Sequence, residues 1–503
     1  MPRRLATEHN QDIIYSGGIR LGEQPVNIAS VIENHAADRV AIIDGDASIS
    51  YGELRAWAAA IRQLLKDRGV GPDDRVAIPA GNEPAFVAAM LGALGVGARV
   101  IPMKPTNPLP ELDRKLASIR PTIILVGEDA AWMHDHADGI TAPLVDLRDV
   151  PRAADAAPEI VDRSSDDIAI MMLTSGVSGN AKVAMLSHGN LAWAQAAVCE
   201  NSPDGLHADD VALAVLPFSH IFGLNVILLA SLRQGGQVVL ERRFDVADSL
   251  ALCQRHGITV LGGAPPMWRQ WSLVDPSTDA FASVRIAASG AAALPVEVFE
   301  AMRDRHGVLI EEGYGLTETS PIVTSSRGDA KAGSVGRPAD GIDVILVEDD
   351  GSPVDVGDAG EIVVRGPGVF QGYYDDEAAT QDVLTPDGWF WTGDVGVLDE
   401  EGRLYIVDRL KDIIIVSGFN VYPAEVENVL LEHPDVRGAV VVGTIHLDTG
   451  EAVVAHVSGD VDTEELDRHA RANLSRYKCP TAYHLVDELP VAPTGKKIRR
   501  ELR

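Results

Sequence analysis

Short apolar runs alternate with longer helical patterns from the start of the chain to about Gly333. The run RVAIPA precedes the helical stretch EPAFVAAMLGALGVG, and the run ARVIPM follows it. The runs TIILVG, VALAVLP, QVVLER and ITVLGGAP continue this rhythm. Strands separated by helices of that length are typical of βαβ units, so the pattern predicts an α/β region with parallel sheets.

The pattern changes after about Gly333. The segments IDVILVEDDGSPVD, GEIVVRGPG and WFWTGDVGVLDEEGRLYIVDR contain short strands joined by Asp-Gly and Glu-Gly turns, which predict an antiparallel β region. The last stretch predicts helices at AEVENVLLEH and TEELDRHARANL, with strands at GAVVVGTIH and EAVVAHV between them. We therefore expect a small separate C-terminal domain, with a boundary near Asp408 to Lys411.

The longest apolar stretch, VALAVLPFSHIFGLNVILLASL, is interrupted by Pro217, Ser219, His220 and Asn225. These interruptions argue against a membrane span and predict a strand, a loop and a buried helix. The N-terminal segment MPRRLATEHNQD is basic and then polar, without an apolar core, so we expect no secretory signal.

Composition excludes several classes of function. The chain has 503 residues, 46% hydrophobic and 23% charged, as expected for a globular protein with large cores. Its net charge of -31 disfavours nucleic acid and anionic lipid as partners. The cysteines Cys199, Cys253 and Cys479 lie far apart, which argues against a disulfide framework or a zinc site and favours a cytoplasmic location.

One Ser/Thr/Gly-rich loop has the composition of a phosphate-binding loop. In LTSGVSGNAKVAMLSH, small residues would let backbone N–H groups approach anionic oxygens, while hydroxyls and Lys182 add donors and charge. Gly176 and Gly179 are three residues apart, so the spacing is not that of a Walker A loop. The Gly-x-Ser-x-Gly nucleophile elbow is not matched either.

Other segments are ambiguous when each is taken alone. GYGLTETSP places a carboxylate beside hydroxyls, which suits Mg²⁺ next to a phosphate but equally suits a polar turn. WTGDVG offers Asp394 to ribose hydroxyls, or is a simple turn. PTGKKIRREL is either a solvated basic tail or a binding element for an anionic substrate. A lone histidine such as His220 is more often a core residue than a catalyst.

The joint order of these segments is more specific than any one of them. LTSGVSGNAKVAMLSH, LPFSHIFGLN, SGAAALP, EEGYGLTETSP, GSVGRP, FWTGDVG, DRLKDIIIVSGFNVYPAEVE and PTGKKIRREL occur in this order. From about Asn27 to its end, the chain resembles the adenylate-forming superfamily of acyl-CoA ligases, peptide-synthetase adenylation domains and firefly luciferases. The segments SHIFGLN and DRLKDIIIVSGFNVYPAEVE are most similar to those of fatty acyl-CoA ligases.

The resemblance implies a fold and an activity. The expected fold is α/β, with a large N-terminal domain of mixed sheets, packed helices and a β-barrel-like region over residues 1–408. A small, mobile α+β domain would follow over residues 409–503. The expected enzyme uses ATP and Mg²⁺ to convert a carboxylic acid, expected to be a medium- or long-chain fatty acid, to an acyl-adenylate. Transfer of the acyl group to CoA would follow.

The resemblance also assigns nucleotide-binding residues. The phosphate loop would hold the β- and γ-phosphates through Thr174, Ser175, Gly176, Ser178, Gly179 and Lys182. The adenosine positions would be Ala291, Ala292, Gly313 and Tyr314 for the base side, and Asp394 and Arg409 for the ribose. Thr317 would contact the α-phosphate and Glu318 would bind Mg²⁺.

Further roles concern catalysis and the acyl group. Lys496 matches the catalytic lysine, which would bridge the substrate carboxylate and the α-phosphate. Lys411 matches the hinge, and Gly418 would border the tunnel for the pantetheine of CoA. The acid pocket would be lined by His220, Phe222, Gly223, Gly290 and Gly315, with the glycines leaving room for the acid.

Ile221 bears on the class of acid. Amino-acid-activating relatives carry an aspartate at this place, and an ammonium group buried against isoleucine would lose its water and gain no partner. An alkyl chain would gain roughly 0.8 kcal/mol for each buried CH₂ group, which favours a fatty acid. A flat aryl acid that stacks on Phe222 is the nearest competitor.

The phosphate loop departs from the family pattern. Val177 and Ser178 replace a pair of threonines, Ala181 replaces a proline, and Val183 replaces a glycine.

Three alternatives to a fatty acyl-CoA ligase stay open: a ligase that loads an acyl carrier protein, an aryl-CoA ligase, and a nucleotide-binding protein without turnover. The presence of Lys496 and Glu318 argues against the last.

Overall fold

The computed structural model of the chain describes residues 27–153, 158–174, 182–200, 205–348, 350–409, 414–421, 423–487 and 489.

The described residues up to Glu200 contain eight strands and four α-helices. The strands are β1 (Val40–Asp44), β2 (Ala47–Ser50), β3 (Arg75–Pro79), β4 (Arg99–Met103), β5 (Ile123–Val126), β6 (Leu144–Asp146), β7 (Ile168–Thr174) and β8 (Lys182–Ser187). The helices are α1 (Tyr51–Asp67), α2 (Pro84–Gly95), α3 (Leu109–Ile119) and α4 (His188–Glu200). Strands β3 to β8 form a six-stranded sheet in the order β6-β5-β3-β4-β7-β8, in which β8 alone runs antiparallel to its neighbour.

The second part begins after residue 204. Its strands are β9 (Val211–Ala214), β10 (Gln237–Leu240), β11 (Val260–Gly263), β12 (Ile286–Ser289), β13 (Ile310–Tyr314), β14 (Thr324–Ser325) and β15 (Arg337–Pro338). Its helices are a π-helix (Phe222–Leu229), α5 (Ala230–Arg233), α6 (Val246–His256), α7 (Pro265–Ser272) and α8 (Val296–His306). Together with β1 and β2, these strands form a nine-stranded sheet in the order β15-β14-β13-β12-β11-β9-β10-β1-β2.

Two smaller sheets complete the fold. An antiparallel sheet contains β16 (Asp343–Val347), β17 (Ala359–Arg365), β18 (Phe390–Leu398) and β19 (Leu404–Arg409), with α9 (Glu377–Gln381) beside it. The last sheet contains β20 (Ile414–Val416), β21 (Phe419–Val421), β22 (Val436–His446), β23 (Gly450–Gly459) and β24 (Ala482–Leu485), with α10 (Pro423–Leu431) and α11 (Thr463–Asn473). The chain passes from one sheet to the other between Arg409 and Ile414.

The sequence pattern predicted most of this architecture. The alternation up to about Gly333 forms parallel strands with intervening helices, as expected. The region expected to be barrel-like is the four-stranded antiparallel sheet β16 to β19. The pattern missed the β1–β2 hairpin and the antiparallel edge strand β8.

The local sequence explains where helix α1 begins. At the start of α1, the Ser50 hydroxyl accepts the Glu53 backbone N–H at 3.2 Å, and the Glu53 carboxylate accepts the Ser50 N–H at 2.8 Å. This capping box satisfies two backbone donors that a helix leaves unpaired at its first turn. Helix α2, by contrast, is apolar all round, and every residue in it except Ala85 is buried in the main core.

The broken apolar stretch folds as its interruptions predicted. Val211–Ala214 is a strand, a loop follows, and the π-helix with α5 is buried. Among the described residues, no helix is both long enough and apolar enough to cross a lipid bilayer.

A buried histidine at the start of α4 binds the backbone of Ile28, near the beginning of the described residues. Nδ1 of His188, the first residue of α4, accepts the backbone N–H of Ile28 at 3.1 Å. Burial, helped by the nearby Arg163 guanidinium, lowers the pKa of His188 to about 4. A proton on Nδ1 would face the Ile28 donor, so the folded protein holds this ring neutral.

This burial predicts a pH dependence of stability. Because the pKa of His188 is lower in the folded chain than the ordinary value of about 6.5, the unfolded chain takes up the proton first as the pH falls. The free energy of unfolding should therefore fall between about pH 6.5 and pH 4. We expect His188 to account for about 2 kcal/mol of the loss between pH 7.5 and pH 5.

The measurement is urea unfolding at both pH values for the wild type and for His188→Gln, which keeps an acceptor but not the titration. His207→Gln, at an exposed histidine, is the control. Equal pH dependence in the wild type and His188→Gln would contradict the assignment.

Candidate functional site

The candidate site lies where three neighbouring parallel strands end. Gly263 in β11 pairs in register with Ser289 in β12, and Ser289 pairs with Glu312 in β13. The turns that follow these residues therefore meet at one edge of the nine-stranded sheet. In open α/β sheets, this carboxyl edge is where ligands usually bind.

The turn after β12 carries two residues assigned to the adenine. Ala291 has a φ of 70°, a left-handed conformation that is unusual for a residue other than glycine. Oε2 of Glu312 accepts the backbone N–H of Leu294 at 3.3 Å, which fixes the loop containing Ala291 and Ala292 to β13. Burial raises the pKa of Glu312 to about 7.

The residues assigned to the base and the ribose contact each other. The Tyr314 hydroxyl donates a hydrogen bond of 2.8 Å to Oδ2 of Asp394, and Asp394 is 3% exposed. Asp394 in β18 pairs in register with Arg409 in β19, so the backbones of the two ribose candidates are adjacent. Sequence spacing alone did not predict that Tyr314 would orient Asp394.

The two ends of the phosphate loop are held together. Thr174 ends β7, Lys182 begins β8, and the two pair in register, with the Thr174 hydroxyl donating to the Lys182 carbonyl at 3.3 Å. The loop residues Ser175, Gly176, Ser178 and Gly179 lie outside the described residues. The hairpin therefore fixes where the loop starts and ends.

Lys182 and Glu318 share one aromatic neighbour. The Lys182 ammonium lies 4.5 Å from the centre of the Tyr373 ring, and the Tyr373 hydroxyl donates to Oε1 of Glu318 at 2.7 Å. Glu318 and Thr317 belong to a 3₁₀ turn, Thr317–Thr319, directly after β13. A cation thus lies over the face of the Tyr373 ring, and a carboxylate lies at its hydroxyl.

This donor set fits Mg²⁺ held mainly by a nucleotide. Within the described residues, no group of three or more His, Cys, Asp or Glu side chains is placed to hold a metal ion. Mg²⁺ is usually bound by one or two carboxylates together with substrate phosphates, and Glu318 beside Thr317 provides one carboxylate and one hydroxyl.

His220 lies two residues before Phe222, the first residue of the π-helix, and contacts the C-terminal part of the chain. Nδ1 of His220 accepts the backbone N–H of Phe222 at 3.3 Å, and the edge of the imidazole contacts the Phe419 ring, with centres 6.4 Å apart. Desolvation by the surrounding protein lowers the pKa of His220 to about 4, so the ring is neutral at pH 7. The Phe222 ring lies against Gly290, 3.4 Å from where a Cβ would be.

The turn between β20 and β21 faces the adenine loop. Gly418 has a φ of 80°, and a Cβ there would lie 3.2 Å from Cβ of Ala264 and 3.6 Å from Cβ of Ala291. Gly418 therefore meets both the conformational and the steric requirement for glycine. Lys411 and Lys496 lie outside the described residues.

Two of the three glycines expected to leave room for the acid do not do so. A Cβ at Gly223 would lie 2.6 Å from the Leu216 carbonyl oxygen, and a Cβ at Gly315 would lie 1.6 Å from the Pro321 carbonyl oxygen. At these positions glycine permits close packing of backbone, so the expected free space is absent. Gly290, whose nearest neighbours are the Phe222 ring and the Gly313 carbonyl, keeps ordinary contact distances.

Sequence reasoning missed a buried amide that joins the two halves of the site. Nδ2 of Asn225 in the π-helix donates to the Ser320 carbonyl at 2.8 Å, and Oδ1 accepts from Gln195 at 2.9 Å. The available sequence signal for Asn225 is that this polar residue interrupts the apolar run. Tyr373 had no such signal, because GYYDD resembles an ordinary loop.

The arrangement combines a cation with apolar side chains. The phosphate-loop hairpin with Lys182 and the Thr317–Thr319 turn supply polar and cationic groups, whereas Phe222 and the rest of the π-helix supply buried apolar side chains. Such a site can hold a charged group and an apolar group next to each other.

Comparison with known proteins agrees with this description. The AMP-binding enzyme family profile matches residues 29–374, and the AMP-binding enzyme C-terminal domain profile matches residues 425–496. A feruloyl-CoA synthase from Amycolatopsis sp is 35% identical over 501 residues, covering 96% of this chain and 98% of that protein. A long-chain-fatty-acid–CoA ligase from Bacillus subtilis (strain 168) is 32% identical over 527 residues, covering 94% of each.

Solved structures match over almost the whole chain. An o-succinylbenzoate CoA synthetase double mutant from Bacillus subtilis, bound to a product analogue, gives a TM-score of 0.86 at 29% identity, covering 95% of this chain and 98% of that one. A malonyl-CoA ligase complex with methylmalonyl-CoA and AMP gives 0.82 at 32% identity, covering 92% and 100%. ATP-bound MatB from Rhodopseudomonas palustris gives 0.72 at 30% identity, covering 95% and 98%. With its large domain of mixed sheets and its smaller C-terminal domain, this chain belongs to the AMP-binding, adenylate-forming enzyme family.

Proposed function

We propose that this enzyme is an AMP-forming ligase that joins an aryl carboxylic acid to CoA through an acyl-adenylate. The observation that carries the proposal is the position of the β20–β21 turn, where Gly418 faces Ala291 and Phe419 faces His220. The turn brings the C-terminal part to the point where the acid pocket and the nucleotide loop meet. A thiol that enters beside Gly418 would reach an acyl group at this junction.

The first half-reaction joins two anions. An oxygen of the substrate carboxylate attacks the α-phosphorus of ATP, and the bond to pyrophosphate breaks. Lys182 at the phosphate loop would neutralise charge on the departing pyrophosphate, and Lys496 would hold the carboxylate against the α-phosphate. Glu318 would hold Mg²⁺, which when bound offsets the charge of the phosphate oxygens.

Orientation of the nucleotide would come from fixed neighbours. Asp394, held by Tyr314, would accept hydrogen bonds from the ribose hydroxyls, Arg409 would donate to them, and the Ala291–Ala292 turn would border the adenine. Thr317 would donate to the α-phosphate from the turn after β13. Since these groups are anchored by the strand ends, little reorganisation is needed when the nucleotide binds.

In the second half-reaction the thiol sulfur attacks the acyl carbonyl carbon, and AMP leaves. His220 is neutral at pH 7, so it would not form an ion pair with the adenylate phosphate and would serve as a polar wall of the junction. By its resemblance to the family, Gly418 would border the pantetheine, and a side chain there would approach Ala264 and Ala291. Lys411 would act as the hinge between the two half-reactions.

The residues proposed for the pocket wall and the similar proteins both support an aryl acid. Ile221 is buried and offers no partner to an ammonium group, which disfavours amino acids. The Phe222 ring beside Gly290 is a flat surface for an aromatic ring. Two glycines expected to leave room for a chain are instead packed against backbone. The similarity to feruloyl-CoA synthase over nearly the full length supports an aryl acid.

A second candidate substrate is a medium- or long-chain fatty acid. The resemblance of SHIFGLN to fatty acyl-CoA ligases and the similarity to the Bacillus subtilis long-chain ligase support it. An acyl carrier protein in place of CoA as the acceptor is an outcome that the following assay distinguishes.

The test is a panel of acids assayed for pyrophosphate release and for thioester formation with CoA. The panel contains ferulate, 4-coumarate, 2-succinylbenzoate, octanoate, dodecanoate, acetate and free amino acids. We expect an aryl acid to give the highest kcat/KM and amino acids to give none. Parallel reactions replace CoA with a phosphopantetheinylated carrier protein.

Each other outcome has a distinct meaning. Faster turnover of octanoate or dodecanoate than of every aryl acid would select the fatty-acid candidate. Pyrophosphate release with thioester only on the carrier protein would replace CoA as acceptor. Failure of every acid to release pyrophosphate would overturn the proposed function.

Substitution of the catalytic lysine should separate the two half-reactions. Lys496→Ala should abolish adenylate formation but leave thioester formation from preformed acyl-adenylate largely intact, because Lys496 serves the step that gathers negative charge. Pyrophosphate release and single-turnover transfer measure the two steps, and Lys497→Ala is the control at the neighbouring position. An equal loss in both steps with unchanged folding would contradict this role.

The Tyr373 hydroxyl should matter for nucleotide affinity. Tyr373→Phe removes the hydrogen bond to Glu318 but keeps the ring beneath Lys182. Loss of a hydrogen bond to a charged group should raise the KM for Mg·ATP roughly tenfold, with a smaller change in the KM for the acid. Pyrophosphate release at varied Mg·ATP measures the effect.

Tyr374→Phe is the matched control, since the Tyr374 ring faces Arg75 instead of Glu318. If both variants raise the KM for Mg·ATP to the same extent, the hydroxyl of Tyr373 has no specific role.

A further inference from the structure

A group of charged side chains is buried where α3 meets the C-terminal part of the chain. Nζ of Lys478 lies 3.0 Å from Oε1 of Glu111 and 2.7 Å from Oε1 of Glu425. Nζ of Lys115 lies 2.7 Å from the same Glu111 oxygen. We call these four residues the interface cluster. Glu111 and Lys115 belong to α3, whereas Lys478 and Glu425 come from beyond Arg409.

The interface cluster is almost dry. The side chains of Glu111 and Lys478 are 2% and 3% exposed, and those of Lys115 and Glu425 are both 13% exposed. Burial opposes charge on Glu111, but Lys478 and Lys115 outweigh it and hold the pKa of Glu111 well below its usual value. Glu111 therefore takes one of its two cations, Lys478, from the other side of the interface, whereas Glu425 pairs with Lys478 on its own side.

Glu111 also binds the chain segment that carries Lys478. Oε2 of Glu111 accepts the backbone N–H of Ser475 at 2.8 Å and the Ser475 hydroxyl at 2.7 Å. This one carboxylate thus accepts bonds at both oxygens from the 3₁₀ turn Arg476–Lys478 and from the residue just before it.

That turn supports the aromatic contact with the candidate site. The Tyr477 ring packs on the Phe419 ring with centres 4.7 Å apart, and Phe419 contacts His220. The Lys104 ammonium lies 4.3 Å from the centre of the Tyr477 ring and 4.8 Å from that of Phe419. A continuous set of contacts therefore joins Glu111 to the β20–β21 turn.

We propose that Glu111 is a positioning residue for the thiol-transfer step, because it docks Ser475 and Lys478 in the one register that holds Phe419 and Gly418 against the junction. This inference rests on the proposed function for its chemical step. It assigns Glu111 no contact with substrate and no role in adenylate formation.

The physical basis is the cost of an unpaired buried charge. Well-paired buried ions add little net stability, but removal of one partner is strongly unfavourable, since the remaining charge is left without water or partner. If the segment of Ser475 and Lys478 docked one residue out of register, buried charges would again be left without partners, at the same free-energy cost. When the interface opens, all four ionic groups regain water, so the cluster selects one docked position without making undocking difficult.

An exposed ion pair between the same two parts provides a contrast. Arg269 in α7 pairs with Asp448 in the turn between β22 and β23, with side chains 32% and 75% exposed. Exposed pairs contribute little because water screens them. Substitution of Asp448 should therefore leave both half-reactions nearly unchanged.

The experiment measures the half-reactions separately for Glu111→Gln. Glutamine keeps the size and an acceptor for Ser475 but removes the charge that pairs with Lys478 and Lys115. We expect transfer from preformed acyl-adenylate to CoA to slow at least about tenfold. Acid-dependent pyrophosphate release should stay within about twofold of the wild type, as should both steps in Asp448→Asn.

A double variant tests the charge argument. Glu111→Gln with Lys115→Gln removes one charge of each sign and keeps the Lys478–Glu425 pair, so it should transfer faster than Glu111→Gln alone. Ser475→Ala, which keeps every charge, should give a smaller selective loss of transfer. Equal loss in both half-reactions, or no loss in either, would overturn the positioning role.

Amide hydrogen exchange gives a readout that needs no turnover. In the wild type the Ser475 amide donates to Glu111, so residues 473–479 should exchange slowly, and Glu111→Gln should speed their exchange and that of residues 414–421. If the wild type activates no acid, the proposed function fails while this arm still tests docking. Unchanged exchange in Glu111→Gln would refute the docking role even if transfer slowed.

Discussion

The shared register of β11, β12 and β13 decides where the chemistry of this protein can take place. Because Gly263, Ser289 and Glu312 are adjacent across the sheet, the turns that follow them open at one edge. Residues far apart in sequence then meet there without long loops. The antiparallel sheet adds Asp394 from the side through Tyr314, and the six-stranded sheet adds the phosphate-loop hairpin. The position of each contribution depends on the rigid strand ends.

The polar contacts around this edge also couple its two sides. Asn225 fixes the π-helix, which we propose as the acid wall, to Ser320, which lies two residues after Glu318 in the chain. Gln195 holds the other end of the Asn225 amide from α4. A buried amide with satisfied partners is costly to displace, so the apolar wall and the carboxylate beside the phosphate loop cannot shift independently. In the proposed function, selection of the acid and orientation of the nucleotide would thus be mechanically linked.

Sequence reasoning reached the parts of the fold whose signals are local. Alternation such as RVAIPA followed by EPAFVAAMLGALGVG predicted the parallel sheets, and the ordered motifs led to Tyr314, Glu318 and Asp394. It failed where long-range packing decides. KVAMLS pairs as an edge strand only because β7 is beside it, and Gly315 lacks a side chain because Pro321 approaches it. The charges of PLPELDRKL resemble those of a solvated helix face, but Glu111 and Lys115 are largely removed from water where a segment more than three hundred residues later docks on Glu111.

The π-helix has a consequence for how this protein can evolve. A π-helix closes its hydrogen bonds one residue further along than an α-helix, so its extra residue is part of the register and not spare length. Loss of one residue between Phe222 and Asn225 would rotate and shift the residues before it relative to those after it about the helix axis. The amide of Asn225 would then leave Ser320 and enter the apolar core. Evolutionary change in this segment should therefore occur by substitution without insertion or deletion, whereas the loops on the outer surface remain free to lengthen and shorten.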